Sequence, residues 1–108
     1  MSISWKERLQ SAVNAEQVLE LTQDFLATWN ARDMARLPLA HRQIRIVEPD
    51  DIAFYALELV REQCLNGDGN KELQRMAAFF GVASGRLAQL MANVTARDNK
   101  NWQHSHAR

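Results

Sequence analysis

Few side chains in this sequence stand at spacings that chemistry would use. Asn66, Asp68 and Asn70 alternate as the first three ligands of a calcium loop do, yet that loop needs a glycine next and a glutamate at its end, where this chain has Lys71 and Ala77. Calcium is therefore not expected. His104 and His106 flank Ser105, but two imidazoles without third and fourth ligands make no metal site, and a solvated tail is the simpler role. His41 has no carboxylate or cysteine beside it in sequence to build a nucleophile or a general base. Asp50 and Asp51 form an adjacent carboxylate pair, but directly after Pro49 they suit the positive end of a helix dipole better than acid–base work. Cys64 falls on an apolar helical stripe, which predicts a buried structural thiol and not a reactive one. No pattern for an enzyme, a cofactor or a metal emerges. An enzyme would need a pocket gathering His41 with carboxylates from distant helices.

The elements that would position any site read as helices throughout. Ser4 stands three residues before Glu7, and Asn14 three before Gln17, so each short polar side chain can accept from a free N–H at a helix start. Val18, Leu21, Phe25, Leu26 and Trp29 recur at mostly three- and four-residue steps, with Thr22 the polar member of the stripe. Asn30 to Asp33 interrupts this pattern, and Pro38 stops any helix restarting at Met34. Ile44, Arg45 and Ile46 alternate like a strand with no second strand to pair with, so 39–48 reads as an extended connection or a short helix. Pro49 opens a clear helix in which Ile52, Tyr55, Ala56, Leu59, Val60, Gln63 and Cys64 form the inward stripe, with Glu58, Arg61 and Glu62 facing away. Asn66-Gly67 ends it, Asp68-Gly69 turns the chain, and Asn70 caps a helix from Lys71 to about Phe80. A stop at Gly81-Val82 and a restart near Ser84 give a last helix to about Ala96, followed by a polar tail over 97–108 that holds Trp102.

The most specific pattern lies around Gly81. Counting from Leu73, Ala77 falls at plus four, Gly81 at plus eight, Val82 at plus nine, Leu87 at plus fourteen and Leu90 at plus seventeen. Two helices crossing steeply need a small residue at the crossing, a turn residue tolerant of positive φ and apolar plugs between them, and these positions supply all three. Residues 73–90 resemble the helix-turn-helix of phage repressors and similar bacterial regulators. That resemblance implies a reading helix whose Ser84, Gly85, Ala88, Gln89 and Ala92 face the major groove, with Gln89 able to contact adenine. Lys71, Gln74, Arg75 and Arg86 would then address phosphates, and Arg97, Lys100 and Arg108 would extend the footprint. The reading face departs from the pattern in carrying two alanines and a glycine, which implies poor sequence specificity.

Charge is unevenly spread behind a net charge of zero. Residues 1–70 hold seven bases against eleven acids, net −4, and residues 71–108 hold six bases against two acids, net +4. A basic last third invites an anionic partner. The single cysteine excludes an internal disulfide and suggests a reducing, cytoplasmic setting; neither a secretory signal nor an apolar run of membrane length is seen. The expectation is an all-α single domain of five or six helices: a helical hairpin and connection over 1–47, a three-helix unit over 49–96, and the tail. The expected function is a small non-enzymatic DNA-binding regulator, dimeric through its N-terminal helices. The alternative is a helical protein-interaction adaptor that leaves nucleic acid alone, for which Trp102 is one anchor.

Overall fold

The computed structural model describes residues 4–38, 41, 44–66 and 69–106, with side chains described up to residue 92, Asn66 excepted. Its elements are α1 (Trp5–Ser11), α2 (Ala15–Ala27), α3 (Ala31–Ala35), α4 (Pro49–Asn66) and α5 (Lys71–His106), with no strand among the described residues. The all-α expectation holds. No described helix is long and apolar enough to cross a membrane.

Helix starts follow local hydrogen bonding. Ser4 Oγ accepts from the Glu7 N–H, Asn14 Oδ1 from Gln17 and Asn70 Oδ1 from Leu73, each three residues on. Asn30 does the same for Asp33, so α3 begins at Ala31 and not at Met34. At α4 the Asp51 carboxylate reaches back to accept from the N–H groups of Val47 and Glu48, at 2.9 Å each, and these bonds hold its pKa below the ordinary carboxylate value. Gly69 takes φ +79° between α4 and α5, a left-handed conformation that glycine adopts without penalty.

The core gathers one face of each long helix. Ile52, Ala56 and Leu59 of α4 and Leu73, Met76, Phe80, Ala83 and Leu87 of α5 are buried, and the α4–α5 contact is the most extensive in the fold. Leu9, Val18, Thr22 and Phe25 of α1 and α2 cover the other side of α5. Phe25 stacks on Phe79 at 3.9 Å between centroids, and Trp5 meets both edge-on at 5.5 and 5.8 Å, arrangements that suit the ring quadrupoles. Buried Leu37 and Ile46 bring the chain between α3 and α4 into the same cluster; residues 44–47 are neither strand nor helix.

The turn expected at Gly81 does not form. α5 runs without interruption from Lys71 to His106, through Gly81, Ser84 and Gly85. Gly69 alone among the described glycines has positive φ, so Gly81 keeps helical geometry, and Ser84 lies inside the helix and caps nothing. The physical reason is the apolar stripe itself. Leu73, Met76, Phe80, Ala83, Leu87 and Leu90 step by three and four residues straight through the glycine, so an unbroken rod keeps all of them on the core. A glycine in a helix costs about 1 kcal/mol against alanine, less than the roughly 1.5–3 kcal/mol gained by burying one large apolar side chain. The same helix takes in residues 97–106, where a frayed tail was expected; the side chains of Arg97, Lys100, Trp102, His104 and His106 lie outside those described, as does Arg108 altogether.

Candidate interaction surface

The residues expected to meet DNA all stand on the unbroken α5, in two groups, Lys71, Gln74 and Arg75 near its start and Ser84, Gly85, Arg86 and Gln89 roughly 15–27 Å further along its axis. Arg75 is exposed, with its guanidinium 4.1 Å above the Trp29 ring between α2 and α3 and 3.8 Å from the Asp33 carboxylate, a loose surface pair. Arg86, half-buried, donates twice to the Ala12 carbonyl, at 3.1 and 2.7 Å, and once to Gln89 Oε1 at 3.1 Å. Arg86 thus clamps the end of α1 onto α5, and it occupies the amide oxygen through which Gln89 was expected to read a base. Lys71, Gln74, Gly85, Ala88, Gln89 and Ala92 are exposed, and Ser84 is half-buried. Glu72 interrupts the basic start of α5: it accepts from Arg36 at 2.8 Å, and that pairing lowers the carboxyl pKa and raises that of the guanidinium. Without a turn at Gly81 these residues have no separate reading helix to share.

The surface that does assemble lies on the outer side of α4. Ile52, Ala56 and Leu59 occupy its inner face, while Phe54, Leu57, Val60 and Leu65 are 68%, 71%, 56% and 71% exposed. Cys64 is exposed among them, so both it and Val60 belong to the outer face and not to the buried stripe expected for them. Successive residues on a helix differ by about 100° of rotation, which places Val60 well off the line of its neighbour Leu59. α4 is therefore apolar on two faces, and only one is packed. A helix with that pattern is normally covered on both.

A shallow groove also runs between the start of α4 and α5. Ala53 of α4 faces Ser84, Leu87, Ala88 and Met91 of α5 across a groove of about 190 Å³ that also reaches Ala15, Pro49 and Asp50. Met91 is 59% exposed on its rim. Gly81 stands one turn before Ser84 and two before Ala88, and a Cβ added at Gly81 or Gly85 would meet nothing within 4 Å. The smallness of these two residues therefore serves no contact within the described chain.

A polar cluster lies on the inner side of α4. His41, 4% exposed, places Nδ1 2.7 Å from the Tyr55 hydroxyl and Nε2 3.7 Å from a Glu62 carboxylate oxygen. Burial, aided by Glu62, pushes the Tyr55 pKa up, so its hydroxyl stays protonated. The tautomer that fits both neighbours accepts the Tyr55 proton at Nδ1 and turns Nε2–H towards Glu62. This group ties the chain before α4 to the helix through a buried imidazole and a half-buried phenol. The expected isolation of His41 was a matter of sequence distance only. Among the described residues, no set of three or more His, Cys, Asp or Glu side chains is placed to hold a metal ion.

Comparison of the chain with protein-family models, with curated proteins and with solved structures finds no match.

Proposed function

We propose that this chain is a non-enzymatic helical interaction module whose working surface is the outer face of α4. The observation that carries this reading is the exposure of Phe54, Leu57, Val60 and Leu65 on one side of a helix whose other side packs Ile52, Ala56 and Leu59 into the core. Together they offer on the order of 400 Å² of apolar side chain, within the range of the largest apolar patch on a typical soluble monomer, which is often functional. The DNA-binding reading is weaker, because Arg86 is tied to the Ala12 carbonyl and the unbroken α5 leaves no separate reading helix.

Two measurements test the proposal together. Binding to random duplex DNA across a salt series is expected to be absent even at low salt; affinity that falls steeply with added salt would overturn the reading in favour of nucleic acid. Alkylation of Cys64 supplies the positive arm, since this exposed thiol sits on the proposed surface. In dilute buffer the thiol should react freely, and in an extract of the protein's own cells it should be shielded. Leu57→Glu should abolish the shielding without unfolding the chain, because a solvent-facing position tolerates a charge. Shielding that survives that substitution would place the contact elsewhere.

A further inference from the structure

We infer that the outer face of α4 pairs with the same face of a second copy of this chain, in an antiparallel two-fold contact. The inference rests on the interaction-module reading and names its partner. Asp50, Phe54, Leu57, Arg61 and Cys64 follow one another at steps of four, three, four and three residues, the spacing of a coiled-coil seam. Asp50 and Arg61 are exposed, and neither makes an ion pair among the described residues. The seam therefore carries a negative charge at its first turn, two large apolar residues in its middle and a positive charge beyond them.

Such a strip is complementary to itself in one direction only. With the two-fold axis between Tyr55 and Ala56, Asp50 meets the partner's Arg61, Phe54 meets the partner's Leu57, and the same contacts recur by symmetry. Asp50 and Arg61 are eleven residues apart, about 16 Å along the axis, so both charge pairs close in the same register that joins the apolar residues. A parallel pair would set Asp50 against Asp50 and Arg61 against Arg61, and would align the two helix dipoles unfavourably as well. Val60 and Leu65 flank the seam, with Val47 and Met91 exposed nearby. Were all of this apolar surface covered, at most roughly 600 Å² per copy, or about 1,200 Å² in all, would be buried, the low end of protein interfaces, which fits a dimer that dissociates on dilution. Gly81, Gly85 and Ala88 leave the adjoining strip of α5 shallow, so the flank of the incoming helix can approach closely.

Sedimentation velocity of the full chain, from about micromolar to hundreds of micromolar, tests the inference. A reversible monomer–dimer equilibrium is expected. Arg61→Asp should weaken it about tenfold by turning two attractive pairs into repulsive ones, Asp50→Lys should do the same, and the two together should restore the dimer. If Asp50→Lys disturbs the start of α4, as far-UV circular dichroism would show, then Arg61→Asp, lying well inside the helix, decides the matter alone. A monomer at every concentration would overturn the inference, as would a dimer indifferent to Arg61→Asp. If the purified chain stays monomeric while extract still shields Cys64 in a Leu57-dependent way, self-pairing fails and the wider reading stands. If neither occurs, both fall.

Discussion

Gly81→Ala distinguishes a bent from a straight chain by the sign of one number. In the unbroken α5, Gly81 is exposed, keeps out of the positive-φ region and would give an added methyl group open space. Ten residues into the helix, it is clear of the fraying end, so alanine should recover nearly the whole propensity difference, about 0.5–1 kcal/mol. In a chain of 108 residues that amounts to roughly 2–4 °C in the thermal midpoint. Gly85→Ala should add a similar increment, because a Cβ there meets no neighbour either. The assay is urea denaturation followed by far-UV circular dichroism in dilute solution: the midpoint should rise with the slope unchanged. A residue in a left-handed turn would respond in the opposite way, since alanine there destabilises by more than the propensity gain. A fall in the midpoint for Gly81→Ala would refute the straight helix, and with it the placement of Ser84, Ala88 and Met91 beside Ala53.

Three further outcomes follow from the contacts. Arg86→Ala should cost about 1.5–3 kcal/mol by freeing the Ala12 carbonyl from two charged donors, and Arg86→Lys should recover only part of that, because an ammonium lacks the guanidinium fork; equilibrium unfolding reads both. Tyr55→Phe should cost about 1–3 kcal/mol by leaving the buried His41 nitrogen without its donor, and amide hydrogen exchange should show the loosening at Ile44 to Val47 before it reaches α5. Asp51→Asn should lower stability at neutral pH and flatten its decline in acid. The folded chain holds this carboxyl below its ordinary value near 4, so the unfolded chain takes up the proton first; the contribution is complete above that value and fades as pH falls below it. Denaturation midpoints measured from pH 7 to pH 3 check the sign.

What the sequence makes legible here is what depends on neighbours a few residues away. The caps at Ser4, Asn14 and Asn70 and the Pro49 start are local hydrogen-bond and dipole effects, and each stands where its spacing predicts. Asn30 carries the same three-residue signature before Asp33, but the helix it opens is only five residues long and packs Met34 alone against the core, so no apolar period supports it. His41 finds Tyr55 and Glu62 fourteen and twenty-one residues ahead, across a chain reversal that no local pattern announces. The fate of Arg86 is equally tertiary: its guanidinium looks free for phosphate until the end of α1 is packed against α5 and the Ala12 carbonyl takes it up.

The misreading at Gly81 and the missed face of α4 share one cause. A short template that asks for apolar residues at fixed offsets around a glycine is also satisfied by a straight helix whose apolar stripe steps by three and four, because both must bury the same side. The glycine alone separates them, and its preference of about 1 kcal/mol yields to the packing of Phe80, Ala83 and Leu87. Once α5 is straight, its glycines turn outward and carry a stability cost that no contact inside the described chain offsets. On α4 the equivalent cost is the hydration of Phe54, Leu57, Val60 and Leu65. Two kinds of unreturned cost, large exposed side chains on one helix and missing side chains on the next, would be met together by the proposed pairing. A second helix laid against both would cover the large residues and need the room that the glycines leave.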